Sequence, residues 1–407
     1  MKADWIGPVA EALARDFKTP LYVYSRSAIE RAYRAYEISF ASVPHRICYA
    51  LKANASLEIL RVFAAMGAGA DIVSGGELRQ ALRAGFKPSD LVFSGVGKTD
   101  DEIALGLEHG IGEFNVESES ELARLSALAN IKRVRAAITL RVNPNVDPKS
   151  HPYISTGLRE NKFGVPIEEA ARILGEARSL PGIDVAGVQC HIGSQLRDLQ
   201  PAVQAVRALA ALSRTLIAEG FALHTIDIGG GLGVDYEGSG APTPADLAAL
   251  VLPELAGLGL RLLLEPGRSL VASSGVLLTR VIAVKENGAK RFVITDAGMN
   301  DLLRPSLYLA YHHIENLTAA PGASMRRVDI VGPVCESGDF FAKDRLLADA
   351  REGDLLAVFD AGAYAFSMAS NYNCRPRAAA VRLEAPGPRL IRRRETFEDL
   401  IACEPPG

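Results

Sequence analysis

The sequence predicts an α/β protein built as a (β/α)8 TIM-like barrel plus a mainly antiparallel β domain. Short apolar runs alternate with helically spaced stretches from about residue 45 to 275, and strands that alternate with helices pair in parallel. Eight such units over this length suit a closed barrel better than an open doubly wound sheet. After Gly275 the rhythm changes to apolar runs divided by longer loops with little helix, the pattern of antiparallel strands.

The eight barrel strands are expected at 45–51, 68–74, 91–94, 113–117, 137–143, 185–191, 225–228 and 261–265. Helical spacing falls between them at 57–65, 77–84, 119–129, 168–177, 203–218 and 244–255. The later strands are expected at 276–284, 291–295, 326–332, 355–359 and 378–383, and the β-rich segment 20–24 is available to join their sheet. The expected division is a barrel domain, 26–275, and a β domain, 276–407, completed by 1–25.

Composition narrows the function classes. Hydrophobic residues at 48% and charged residues at 23% are ordinary for a globular chain. A formal charge of -3 leaves no basic footprint for nucleic acid. The run Arg392-Arg393-Arg394 is short and reads as a solvated or subunit-facing edge. Five cysteines without paired spacing argue against a disulfide framework and against a zinc site, so no metal is expected. No apolar run is long enough for a bilayer, and charges interrupt the N-terminal segment; a cytoplasmic location is the expectation. Pro405-Pro406-Gly407 reads as a frayed tail.

Residues at the C-terminal ends of barrel strands line the active site. Lys52 directly follows the first strand in Tyr49-Ala50-Leu51-Lys52-Ala53-Asn54, where it is either a surface residue or a reactive amine. Strand six ends in His191-Ile192-Gly193-Ser194-Gln195, strand seven in Gly229-Gly230-Gly231-Leu232-Gly233, and strand eight in Glu265-Pro266-Gly267-Arg268. The glycine triplet fails the dinucleotide spacing; it is either a tight turn or a close backbone approach to a phosphate. Ser194 adds a hydroxyl and Arg268 a cation, where barrels commonly hold phosphate. A lysine facing a phosphate site suggests a Schiff base to pyridoxal 5'-phosphate, with His191 either over the ring or a core histidine hydrogen-bonded near the barrel top. Glu265 is either a surface ion-pair partner of Arg268 or a carboxylate that keeps the pyridine nitrogen protonated, which favours decarboxylation.

Together with segments at 296–311, 332–344 and 362–377, these stretches resemble the diaminopimelate decarboxylase family, within the alanine-racemase-like fold-type III pyridoxal-phosphate enzymes. With 20–24 and 392–403 the resemblance covers nearly the whole chain, in order and spacing. It implies decarboxylation of meso-2,6-diaminopimelate to L-lysine and CO2, the last step of lysine biosynthesis. It implies that Lys52, His191, Ser194, Gly230, Gly231, Glu265, Gly267, Arg268 and Tyr364 contact the cofactor. It further implies that Cys335, in Val334-Cys335-Glu336-Ser337-Gly338-Asp339, delivers the proton that replaces CO2. Glu336 then pairs with the ammonium at the substrate's far end, and Arg304 with Tyr308 holds the far carboxylate. Arg268 and Tyr364 also touch substrate. Family members are homodimers whose cysteine–glutamate loop completes the other subunit's site. Without the resemblance, Cys335 reads as a buried structural cysteine.

Three other readings stay open on the residues alone. A relative acting on ornithine, arginine or lysine needs no clamp for a far carboxylate, and ornithine enzymes carry aspartate where this chain has Glu336. A racemase would place a different partner at the pyridine nitrogen. A non-catalytic pyridoxal-phosphate-binding protein would need neither Cys335 nor the second domain.

Overall fold

The structure is a computed structural model that describes residues 2–147 and 161–405; Pro406 and Gly407 of the expected frayed tail lie outside the described residues. The chain divides into two compact units. One comprises Glu30–Val234 and Ala241–Leu270; the other comprises Met1–Ile29, Asp235–Gly240 and Val271–Gly407.

Strands are numbered along the chain. The first, β1 (Leu21–Ser25), belongs to the β-rich unit, and the next nine build the barrel unit. These are β2 (His45–Ala50), β3 (Gly69–Ile72), β4 (Leu91–Phe93), β5 (Glu113–Val116), β6 (Ala136–Asn143), β7 (Val165–Pro166), β8 (Ile183–Gln189), β9 (Thr225–Asp227) and β10 (Arg261–Leu264). Parallel pairing runs β2-β3-β4-β5-β6-β8-β9-β10 and closes as β10 meets β2, with Leu262 opposite His45. The two-residue β7 pairs with β6.

Near-continuous burial of these strands explains their composition: both faces are covered, so apolar runs replace alternation. The helices between them start and stop where local chemistry dictates. Thr99 forms a reciprocal capping box with Glu102, and Gly110 in the left-handed region ends the helix Asp100–His109. Outside the wall, Tyr49 of β2 stacks on Phe63 of helix Leu57–Ala65, with ring centroids 4.1 Å apart.

The β-rich unit contains β11 (Gly275–Asn287), β12 (Lys290–Thr295), β13 (Ile314–Asn316), β14 (Met325–Val331), β15 (Phe340–Ala348), β16 (Leu355–Val358), β17 (Ala379–Glu384) and β18 (Gly387–Arg392). The order is β15-β14-β12-β11-β1-β17-β18, with β16 and β13 attached through β11. Most pairings are antiparallel; β1 with β17 and β12 with β14 are parallel. Helix Gly7–Phe17 lays Ala10, Leu13 and Ala14 on a core that includes Leu21, Val23, Val276, Leu278 and Val381.

The arginine run is not merely a solvated edge. Arg394 donates to the carbonyls of Lys18 and Pro20, Arg393 pairs with Asp399, and Arg392 lies over the Phe366 ring. These contacts anchor the strand-β1 approach to the C-terminal segment.

Candidate active site

In the barrel unit, the expected site residues stand at the C-terminal ends of the strands. Lys52 follows β2 in a single turn of 3-10 helix, Leu51–Ala53, and its Nζ lies 2.9 Å from Asp71 Oδ2. Asp71 sits in β3 and is fully buried, whereas the Lys52 side chain is partly exposed. A buried carboxylate therefore orients an amine that still reaches solvent-accessible space. Lys98 provides a contrast within the same unit. Its Nζ is fully enclosed, bound to Glu121 at 2.7 Å and to the carbonyls of Gly95 and Asn115. Lys98 is structural.

Glu265 is buried and not a surface residue. Its Oε1 accepts from Asn115 Nδ2 at 3.0 Å and from Ser94 Oγ at 3.4 Å, while Oε2 accepts from Gln189 Nε2 at 3.2 Å. Asp227, also buried, lies close enough to Glu265 for the two carboxyls to influence each other's proton affinity. Burial first, then the charges of Asp227 and Asp71, hold Glu265 well above the usual carboxylate range. Burial pushes Asp227 up to about 7, against hydrogen bonds from Glu265 and from the Gly229 amide.

His191 Nδ1 accepts from the Gly230 amide at 3.2 Å. Burial, followed by the cations of Lys52 and Arg141, keeps His191 well below its ordinary pKa. It is a neutral ring at the barrel mouth. The Gly229 amide donates to Asp227 Oδ1 at 2.7 Å, so two amides of the glycine triplet are already engaged inside the protein. Close approach is nevertheless required: Gly231 has φ +109°, and a Cβ there would stand 2.3 Å from the Gly193 carbonyl. Arg268 donates to Ser194 Oγ from Nε at 3.3 Å and from Nη2 at 3.1 Å, which brings the expected cation and hydroxyl together. Gly267 packs against Ala50 and Ala53, beside Lys52 in sequence.

The β-rich unit holds the remaining expected residues. Arg304 and Tyr308 open and close one short helix, Arg304–Tyr308, with Arg304 buried. Ser306 of that helix donates to the Gly338 carbonyl at 2.6 Å, tying it to the loop that carries Cys335 and Glu336. Cys335 and Glu336 are both exposed; the reading of Cys335 as a buried structural thiol is wrong. The loop is held by its backbone. Asp339 accepts from the amides of Met299 and Val334, both at 2.6 Å, and Asn373 Oδ1 accepts from the Cys335 amide at 2.8 Å. Gly332 makes this packing possible, since a Cβ there would lie 2.4 Å from Gly298 Cα. Tyr364 adopts the left-handed conformation at φ 54°, unusual for an aromatic residue.

Sequence reasoning missed Asp71, Asn115, Gln189 and Asp227. Each is a polar residue near the end of an apolar barrel strand, and that repetition from strand to strand was the available signal.

The chain is similar to proteins of known family. The family described as pyridoxal-dependent decarboxylase, pyridoxal binding domain, matches residues 26–272. A diaminopimelate decarboxylase of Pseudomonas aeruginosa is 50% identical over 398 residues, covering 98% of this chain and 95% of that protein. One from Aquifex aeolicus is 45% identical over 396 residues, covering 97% of this chain and 94% of that protein. The crystal structure of Helicobacter pylori diaminopimelate decarboxylase complexed with L-lysine superposes with a TM-score of 0.94 at 46% identity, covering 97% of this chain and 99% of that one. The chain belongs to the diaminopimelate decarboxylase family of pyridoxal-dependent decarboxylases.

Proposed function

We infer that this protein is a carboxy-lyase that converts diaminopimelate to lysine and CO2 with pyridoxal phosphate as cofactor. The observation that carries this reading is half-identity to a diaminopimelate decarboxylase across 98% of the chain. The donor set of the barrel unit fits the cofactor. It offers a partly exposed amine at Lys52, a hydroxyl–guanidinium pair at Ser194 and Arg268, and a buried carboxyl at Glu265 to face a pyridine nitrogen.

When bound, pyridoxal phosphate supplies the conjugated ring that accepts the electron pair left by departing CO2. Lys52 holds the cofactor through its Nζ, and Asp71 orients that amine. Ser194, Arg268 and the Gly230–Gly231–Gly267 backbone hold the phosphate. His191 would face the ring as a neutral group. Glu265 keeps a proton at the pyridine nitrogen, with Asn115 and Gln189 fixing both carboxylate oxygens. Cys335 Sγ delivers a proton to the carbon that lost CO2. Arg304 and Tyr308 hold the substrate's far carboxylate, Glu336 pairs with the far ammonium, and Arg268 and Tyr364 contact the reacting end.

We assign the enzyme to the cytoplasm as a homodimer in which the Cys335–Glu336 loop completes the other subunit's site. Exposure of both side chains on a backbone-clamped loop supports a role toward something outside the unit that carries them. Among the described residues, no helix is long and apolar enough to cross a membrane. Activity that survives elution as a monomer through a dilution series would contradict the shared site.

The substrate is tested by CO2 release from stereochemically defined diaminopimelates, ornithine, arginine and lysine. Turnover of meso-diaminopimelate should exceed that of the others. Preference for an amino acid without the far carboxylate overturns the substrate and leaves the cofactor reading intact.

A further inference from the structure

Arg304 is a buried cation, 5% exposed, whose direction is fixed by two neighbours from separate segments of the β-rich unit. Its Nη1 lies 2.8 Å from His312 Nε2, and its guanidinium carbon stands 4.5 Å from the centre of the Tyr236 ring. Tyr236 and His312 also touch, edge to face, with centroids 5.4 Å apart and planes at 71°. Guanidinium nitrogens only donate, so His312 Nε2 must present its lone pair. The other ring nitrogen, Nδ1, lies 2.8 Å from the Phe359 carbonyl, which only accepts, so Nδ1 carries the hydrogen. The tautomer is set from both ends, and the ring is neutral.

The histidine is held firmly enough to serve as a reference point. It is fully buried. Its own carbonyl accepts from Arg345 Nη1 at 2.7 Å, and the next carbonyl, His313, accepts from the Phe359 amide at 2.9 Å. A planar fork gripped at one Nη and stacked on a ring face loses rotation about its last torsions. His312 and Tyr236 grip the guanidinium without themselves supplying a negative charge.

We propose that His312, assisted by Tyr236, is a positioning residue that aims Arg304 at the substrate's far carboxylate and so contributes to substrate selection. The proposal rests on the reading of Arg304 as the clamp for that carboxylate. It assigns His312 no contact with the reacting atoms.

The test compares two amines that differ only in that carboxylate. L-lysine retains it and cadaverine lacks it, and binding of each to the cofactor-loaded enzyme is read by calorimetry and by the cofactor's visible absorbance. In His312→Leu, which removes the acceptor while keeping the bulk, the dissociation constant for L-lysine should rise about tenfold, the scale of one hydrogen bond to a charged group. Cadaverine binding should stay within about twofold on the same argument. His312→Gln, which restores an acceptor, should recover most of the L-lysine affinity. Tyr236→Leu should show a smaller loss, again confined to L-lysine. Arg304→Ala separates the two ideas. If it weakens L-lysine alone while the His312 and Tyr236 variants change nothing, the positioning role fails and the clamp stands. If Arg304→Ala does not distinguish the ligands, the clamp itself fails. Equal weakening of both ligands in His312→Leu reduces His312 to a structural residue and overturns the proposal. Should His312→Leu fail to fold, the glutamine and Tyr236 variants decide by the same comparison.

Discussion

The barrel unit and the β-rich unit carry their proposed site residues in opposite ways. In the barrel, polar groups lie at the ends of buried strands and hold one another by side-chain bonds. Asp71 grips Lys52, and Asn115, Gln189, Ser94 and Asp227 surround Glu265. In the β-rich unit, Cys335 and Glu336 are exposed, and the backbone around them is clamped by Asp339 and Asn373. The barrel therefore tunes proton affinity, which requires burial, while the loop sets position and leaves its side chains accessible. Substitutions should separate these two kinds of contribution.

The largest effect is expected from Lys52→Ala. Turnover should fall by about a thousandfold or more, with loss of the holoenzyme's visible absorbance. Retained activity at wild-type level would remove the barrel's central residue from the comparison. Glu265→Gln comes next. It keeps the shape of the carboxyl but not its charge chemistry, so turnover should fall about a hundredfold in CO2-release assays while the cofactor stays attached.

Asp339→Ala probes the other half. Two backbone amides lose their acceptor and the Cys335 loop loses its anchor. Turnover should fall about tenfold, on the scale of one to two charged hydrogen bonds, while cofactor absorbance is unchanged. A loss of cofactor instead would show that position and tuning are not divided as described.

The smallest effect concerns stability against pH. Asp227 in the folded protein titrates near 7, above the ordinary aspartate value, so the folded state binds the extra proton. That contribution is fully present below the unfolded value and is lost as pH rises through about 7. Cofactor-free protein should therefore lose thermal stability between pH 5.5 and 8 (a window of about these limits), and Asp227→Asn should flatten the decline. Glu77 and Asp301 also titrate near 7, so the informative quantity in a calorimetric series is the difference between variant and parent. An unchanged slope would argue against a raised proton affinity at Asp227.

The barrel was legible because its strands are short apolar runs ended by glycine or polar residues, and Lys52, His191 and Glu265 stand at those ends. β15 was not, because Lys343-Asp344-Arg345 interrupts Phe340–Ala348 and Asp344 sits at φ 49° beside register shifts against β14. β18 was missed for its exposure and its proline. Asp71 and Asp227 escaped notice because a lone acid in an apolar strand reads as an edge position, and only closure of the barrel turns it inward. His312 and Tyr236 act through Arg304 across distant segments, a relation no local pattern encodes.

The most direct test of the central claim, that Lys52 rather than another lysine bonds the cofactor, is chemical trapping. Holoenzyme reduced with borohydride and digested should carry one pyridoxyl-phosphate adduct, on the peptide containing Lys52. An adduct on the enclosed Lys98, or on a surface lysine with Lys52 unmodified, would contradict the account.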